Sequence, residues 1–243
     1  IIRELARDFA RHGNHSLAIG GGSSGAHTNG LFNLSAIYSL NFLVDNVGRE
    51  GGVIMNPSPP LPEFKTTLSP STPSDWQEVI SEVGSDIRLV LIRGTNPIHG
   101  LPRETDLKTA LDQDNVFTVC FSTLLDETTM MADLILPDRM GLEEWGDDIP
   151  DTSPGFEIVG IQQPVVNPLP GSDPMSFPDI LLRMAAELGI NSSHPLDKTL
   201  FVDVLKDHAQ KLFELGRGTI EENTFEAFWN RLLQDGCWAD HAG

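Results

Sequence analysis

The 243-residue chain carries 35 acidic against 16 basic side chains, a formal net charge of −19 at pH 7, with 40% hydrophobic residues. That charge excludes nucleic acid as a partner, since phosphate recognition needs a basic face, and it excludes an electrostatic membrane anchor. Two cysteines without C-x-x-C spacing, Cys120 and Cys237, exclude a zinc or iron–sulfur centre built from this chain alone; no apolar run approaches the roughly 20 residues of a membrane span.

In chain order, Ile2, Leu5, Ala6, Phe9 and Ala10 recur at helical spacing, and His12-Gly13 stops the helix they define. It starts without a cap at Ile1, so the sequence reads as a piece of something longer. Ser16–Ile19 reads as a short strand. The glycine-rich turn Gly20–Gly30 follows, then a helix over 31–44 capped by Thr28 or Asn29. Such a turn either brings backbone close to a ligand or merely permits tight packing. Asn46-Val-Gly48 and Gly51-Gly52 mark a second tight turn. The Pro-, Ser- and Thr-rich stretch 56–73 is a long irregular connection. Ser74-Asp-Trp-Gln77 resembles a capping box before a third helix.

Two strand-then-loop units come next. Arg88–Ile92 leads into Arg93-Gly-Thr-Asn-Pro97, and Val116–Phe121 leads into Ser122–Asp133, with a short helix at Leu107–Leu111 between them. Both apolar runs are continuous, as in strands covered on both faces. Ligands of open parallel sheets bind beyond the carboxyl ends of the strands. The loops 20–30, 94–97 and 121–128 are therefore expected along one edge of a single sheet. Phe156–Ile161 reads as an edge strand, prolines at 164, 168, 170 and 174 break the next stretch, and helices are expected at 178–188, 201–215 and 224–234. Strands alternating with helices give an α/β fold: a layered α/β/α domain with a mainly parallel sheet and helical additions at the carboxyl end, one domain over 1–243.

Individual residues have bland readings beside functional ones. Asn96 is an Asn-Pro turn residue or an amide that reads a ligand. His99 is a surface histidine or a base. Asp126 caps a turn and Asp133 satisfies nearby amides, unless the acid cluster does proton chemistry. His27, beside the glycines, is a loop histidine or a ligand contact. Ser23 and Ser24 lack the Gly-x-Ser-x-Gly context of a hydrolase. Cys120 is a core residue.

Gly94-Thr-Asn-Pro-x-x-x-x-Pro102, Leu125-Asp-Glu-Thr-x-x-x-Ala-Asp-Leu-Ile-Leu-Pro137 and Glu143 together resemble the molybdopterin oxidoreductase superfamily, the dimethyl-sulfoxide-reductase and formate-dehydrogenase group. Ala26-His-Thr-Asn-Gly30, Leu40-Asn41, Gly48-x-x-Gly-Gly52 and Gln162-Gln-Pro-Val-Val166 follow the same pattern in the same order. The resemblance implies the central α/β portion of a large redox subunit. Its iron–sulfur clusters and carboxy-terminal barrel would lie in neighbouring domains, and other domains or subunits of a redox complex would be its partners. The expected cofactor is bis(molybdopterin guanine dinucleotide), one nucleotide half of which would meet Gly22, His27, Asn29, Gly94, Thr95, Asn96, Phe121, Ser122 and Glu143. The expected location is periplasmic, or membrane-associated through partner subunits.

Three positions depart from the pattern. Ser122 stands where some members have Asp, Glu144 where many have Lys, and Phe177 where related chains often place Asp. Each removes a partner suited to guanine or phosphate. Leu125-Asp-Glu-Thr and Glu143-Glu-Trp-Gly-Asp-Asp look closer to the iron–sulfur subunit of alternative complex III. That branch keeps the domain without its cofactor, beside clusters that carry electrons from quinol. In the cofactor-free case Phe121 and Phe177 are expected to fill the nucleotide cleft. A free-standing nucleotide-binding module built on Gly20–Gly30 is the third reading.

Overall fold

A computed structural model describes residues 1–65, 72–150 and 154–241. The chain divides into two compact units, Ile1–Pro60 with Ile149–Ile158 and Ala239–Gly243, and Leu61–Asp148 with Val159–Trp238.

The first unit contains α1 (Ile2–His12) and α2 (Gly30–Leu43). Gly13 ends α1 with φ +56, in the left-handed region that glycine adopts without a Cβ penalty. Ser16–Ile19 is not a strand: no strand among the described residues pairs with it. Two buried asparagines take the place of a neighbouring strand. Asn41 on α2 donates to Ala18 O (2.9 Å) and accepts from Ala18 N (2.8 Å), and Asn46 donates to Ser16 O (2.5 Å). A side-chain amide has the same donor and acceptor pair as a peptide, so it can complete an isolated extended segment. The loop 20–30 therefore follows this extended segment and not a sheet strand, which corrects the expectation that the loops 20–30, 94–97 and 121–128 share one sheet edge.

That loop packs tightly. A Cβ at Gly30 would fall 2.1 Å from Gly25 O, and one at Gly20 would fall 2.9 Å from Leu34 Cδ2. Asn29 holds the N-cap position of α2, but its side chain makes no capping bond. Leu31, Phe32, Leu40, Phe42 and Leu43 of α2 are exposed, in a helix that is apolar on most sides.

The second unit holds the parallel sheet. Strands β1 (Leu89–Arg93), β2 (Phe117–Ser122) and β3 (Leu134–Pro137) lie in that order, with Leu91 opposite Val119 and Cys120 opposite Ile135. Helices α3 (Pro73–Glu82), α4 (Pro97–Gly100) and α5 (Leu107–Leu111) connect or flank these strands. Ile80, Val83, Ile92, Leu107, Leu111, Val116 and Cys120 form one buried cluster, with Trp76 and Val90 packed against it. β2 is buried along most of its length. β1 alternates, with Leu89 and Leu91 exposed and Ile92 buried, so the expected cover on both faces holds for the central strand and not for β1. Burial also raises the pKa of the Cys120 thiol, which suits an inert core residue.

The helix cap of α3 falls two residues before Ser74. Thr72 Oγ1 accepts from Asp75 N (3.3 Å) and Asp75 Oδ2 accepts from Thr72 N (2.6 Å). Pro73 suits the first helical position, where no amide hydrogen is needed, so the helix begins there. Residues 66–71 of the expected irregular connection lie outside the described residues.

The rest of this unit is helical, with a second small sheet of order β4-β5-β6. Strands β4 (Gly146–Asp148) and β5 (Glu157–Gln162) are antiparallel, and β6 is Cys237–Asp240. β5 is the middle strand and not an edge, because β6, unmarked in the sequence, pairs along its other side. Helices α6 (Phe177–Glu187), α7 (Phe201–Glu214) and α8 (Phe225–Asp235) lie within two residues of their expected bounds. Val204, Leu205, Leu212, Phe228, Leu232 and Trp238 are buried among α7, α8 and β6.

The Asn41 arrangement gives a direct test. Asn41→Ala leaves the Ala18 amide and carbonyl unpaired, at roughly 1–3 kcal/mol for a buried unsatisfied group. Thermal melting should show that loss, and amide exchange at Ala18 should quicken relative to α7.

Candidate functional site

The carboxyl ends of β1, β2 and β3 open into a cleft of about 520 Å³. Its walls come from the residues that follow each strand: Arg93 to Asn96 after β1, Ser122 to Leu124 and Asp126 after β2, and Asp138 to Gly141 with Glu144 after β3. Parallel strands place these loops together, as the sequence implied for the loops after β1 and β2. A cleft of this size admits a small organic ligand.

Gly94 turns the chain at the end of β1 with φ +68. Asn96 then caps α4. Its Oδ1 accepts from His99 N (3.4 Å) and from Thr128 Oγ1 (2.6 Å), and its Nδ2 donates to Glu127 Oε2 (2.7 Å). Thr128, almost wholly buried, accepts in turn from Ile98 N (3.1 Å). The amide of Asn96 is thus engaged on both sides by the protein. The hydrogen bond from Asn96 holds the Glu127 carboxyl below its ordinary range. His99 is exposed, 3.7 Å from Glu127.

The β2 loop is also internally bonded. Ser122 Oγ donates to Leu124 O (2.6 Å) and accepts from Leu124 N (3.2 Å). Asp126 Oδ1 accepts from Thr129 N (2.8 Å), while Asp126 N donates to Thr129 Oγ1 (2.6 Å). Asp126 is a turn cap, as its sequence setting suggested. Asp133 Oδ2 accepts from Thr118 N (2.7 Å) and so extends the β2–β3 ladder with a carboxylate.

The charged centre of the cleft is Arg93. Its Nε donates to Asp138 Oδ2 (2.6 Å) and its Nη2 to Glu144 Oε1 (3.3 Å). Its guanidinium carbon lies 5.1 Å from the centre of the Phe177 ring, within cation–π range. Phe177 meets Phe121 edge-on with centroids 4.8 Å apart. Phe121 lines the cleft, whereas Phe177 is not among its lining residues. Arg139 donates to Pro174 O and Glu143 O, both at 3.3 Å. The Glu143 carboxylate accepts from Met140 N (3.1 Å). Burial pushes the Glu144 carboxyl above its ordinary range, against the pull of Arg93. Its second oxygen is buried and has no hydrogen-bond partner among the described residues.

Of the residues expected to meet a cofactor, Gly94, Thr95, Asn96, Phe121 and Ser122 line this cleft. Glu143 stands one residue from the lining residue Glu144 and caps its own turn. Gly22, His27 and Asn29 belong to the first unit. The roles of Arg93 and Asp138 were not legible in the sequence. The available signal was Asp138-Arg139 directly after the third strand, two residues beyond Leu136, which is level with Arg93 in the sheet.

Residues 2–149 match the Molybdopterin oxidoreductase family, and the chain belongs to that family. It is 29% identical over 229 residues to the menaquinone reductase, molybdopterin-binding-like subunit, of Nitratidesulfovibrio vulgaris, covering 90% of this chain and 32% of that protein. It is 21% identical over 245 residues to a selenate reductase subunit of Mesobacillus selenatarsenatis, covering 78% of this chain and 23% of that one. The chain thus spans a third or less of these relatives. Family membership implies a molybdopterin cofactor at the level of the family. No helix among the described residues is long and apolar enough to cross a membrane.

Two predictions test these assignments. Asp126→Ala removes a cap and should destabilise by roughly 0.5–2 kcal/mol in urea unfolding, the usual cost of losing one. Glu144 binds its proton more tightly in the folded state, so it favours folding below the ordinary glutamate pKa of about 4.3. That contribution is lost as pH rises through the raised native value. Glu144→Gln should therefore gain stability over the wild type as pH rises from about 4 to 7. A gap that narrows over this range would mean that the pairing with Arg93 outweighs burial.

Proposed function

We propose that this chain is a central α/β domain of a molybdopterin-family subunit in a quinone-linked electron-transfer complex, and that its strand-end cleft serves as scaffold and not as a guanine dinucleotide site. The observation that carries this reading is the commitment of Arg93 to Asp138 and Glu144. An anionic diphosphate entering the cleft would have to take Arg93 from both carboxylates and lie beside them. Arg93 itself is exposed while its two carboxylate partners are shielded, so displacing them costs more than the roughly 0–1 kcal/mol of a surface pair and less than the roughly 3–5 kcal/mol of a fully buried one. Two cations face three carboxylates around the cleft, which gives no compensating field. Asn96 and Ser122, the other groups suited to a guanosine, are bonded within the protein.

The similarity to a subunit described as molybdopterin-binding-like supports the same reading. Under it, iron–sulfur clusters and quinone contacts belong to neighbouring domains and subunits, and attachment to the membrane comes through those partners, on the periplasmic side. Alternative complex III is one architecture of this kind.

A second reading has one observation in its favour. The unpartnered oxygen of Glu144 is an acceptor in a cleft of ligand size, and the ring and exocyclic N–H groups of a guanine would suit it. Metal and pterin content of the intact parent polypeptide separates the two. The scaffold reading expects neither molybdenum nor pterin in stoichiometric amounts by elemental analysis and by fluorescence of the oxidised extract. One molybdenum per polypeptide with released guanine nucleotide would overturn it.

A further inference from the structure

We propose that Glu144 is the specificity-determining residue of the strand-end cleft, holding Arg93 against Asp138 so that nucleoside diphosphates are rejected by charge although the volume admits them. The proposal rests on the scaffold reading and names the group that enforces it.

The cleft has space for a ligand. Its rim carries two arginines, and they differ in how they are held. Arg139 donates to the backbone carbonyls of Pro174 and Glu143, so its position belongs to the fold. Arg93 donates only to carboxylates among the described residues, at Asp138 and Glu144. The centre of the Phe177 ring lies 5.1 Å from its guanidinium carbon. Arg93 is therefore the cation whose partner can be exchanged for another anion, and a guanidinium fork is well matched to phosphate.

The two carboxylates also differ. Asp138 Oδ1 accepts the amide of Arg139 (3.0 Å) while Oδ2 meets Arg93, so both its oxygens are engaged. Glu144 uses one oxygen, in a longer bond, and its other oxygen is buried without a partner among the described residues. Replacing Glu144 by glutamine keeps the shape and the acceptor for Arg93 and removes one negative charge from the cleft. The loss of that charge leaves Arg93 with a net attraction for an incoming phosphate.

The test uses the intact parent polypeptide and calorimetry with two probes, guanosine 5′-diphosphate and guanosine. Glu144→Gln should bind the diphosphate at least tenfold tighter than the wild type, and Glu144→Gln with Asp138→Asn tighter again. Guanosine, which carries no phosphate, should bind all three alike. Adding Arg93→Gln should abolish the gain, which a general loosening of the fold would not do. Circular dichroism and melting confirm folding, and the single variant suffices if the double one does not fold. A folded Glu144→Gln protein with unchanged diphosphate affinity overturns the proposal, as does a gain that survives Arg93→Gln. Wild-type protein that carries stoichiometric molybdenum and guanine nucleotide sinks the scaffold reading itself. Wild-type protein free of both, with variants that gain nothing, sinks only the role of Glu144.

Discussion

The ion pair between Arg93 and Asp138 ties the end of β1 to the residue that follows β3, across the intervening β2. The Asp138 side chain is 8% exposed and that of Arg93 35%, so the pair is shielded on its carboxylate side, at the point where all three strands stop. Its geometry decides the character of the cleft. With Arg93 turned to its own carboxylates, the strand ends carry two cations against three carboxylates. The same backbone with Arg93 free would present an anion site. Leaving the shielded carboxylates without their cation is unfavourable, so the choice is built into the fold.

A second constraint sets the loops themselves. The loops after β1 and β2 satisfy their polar side chains within the protein: Asn96 bonds across to Thr128 and Glu127, while Ser122 bonds Leu124 and Asp126 bonds Thr129 inside one loop. The Asn96 bonds hold the two loops together. They also use up the side chains that would otherwise be offered to a ligand. Here the scaffold and the lining of the cleft are the same atoms. Asn41 and Asn46 show the same economy in the first unit, where buried amides complete an extended segment in place of a strand.

The carboxylates near the strand ends differ in how they are used. Asp133 and Asp126 accept backbone amides and stay within the ordinary logic of caps and ladders. Glu144 does not: one oxygen meets Arg93 and the other meets nothing among the described residues. Leaving an acceptor unsatisfied costs free energy in any fold. Such a group persists where it has a task, and in this cleft the task is keeping a cation occupied.

Read alone, the sequence determined the α/β class, the two parallel strands with loops at their carboxyl ends, the positions of most helices, and the family. These follow from local signals: continuous apolar runs, helical periodicity, glycine and proline punctuation, and motifs in a fixed order. It also pointed to structural roles for Asp126 and Asp133, because short polar side chains beside turns bond nearby amides, and left their acid chemistry as the alternative. Only the tertiary structure decided that Ser16–Ile19 stands outside the sheet, since the groups that satisfy it come from Asn41 and Asn46, well along the chain. Only it decided that β5 is central, because β6 arrives from the far end of the sequence. The pairing of Arg93 with Asp138 and Glu144 was hidden for the same reason. It joins residues 45 and 51 positions apart, and no local pattern records which charges a parallel sheet will bring together at its edge.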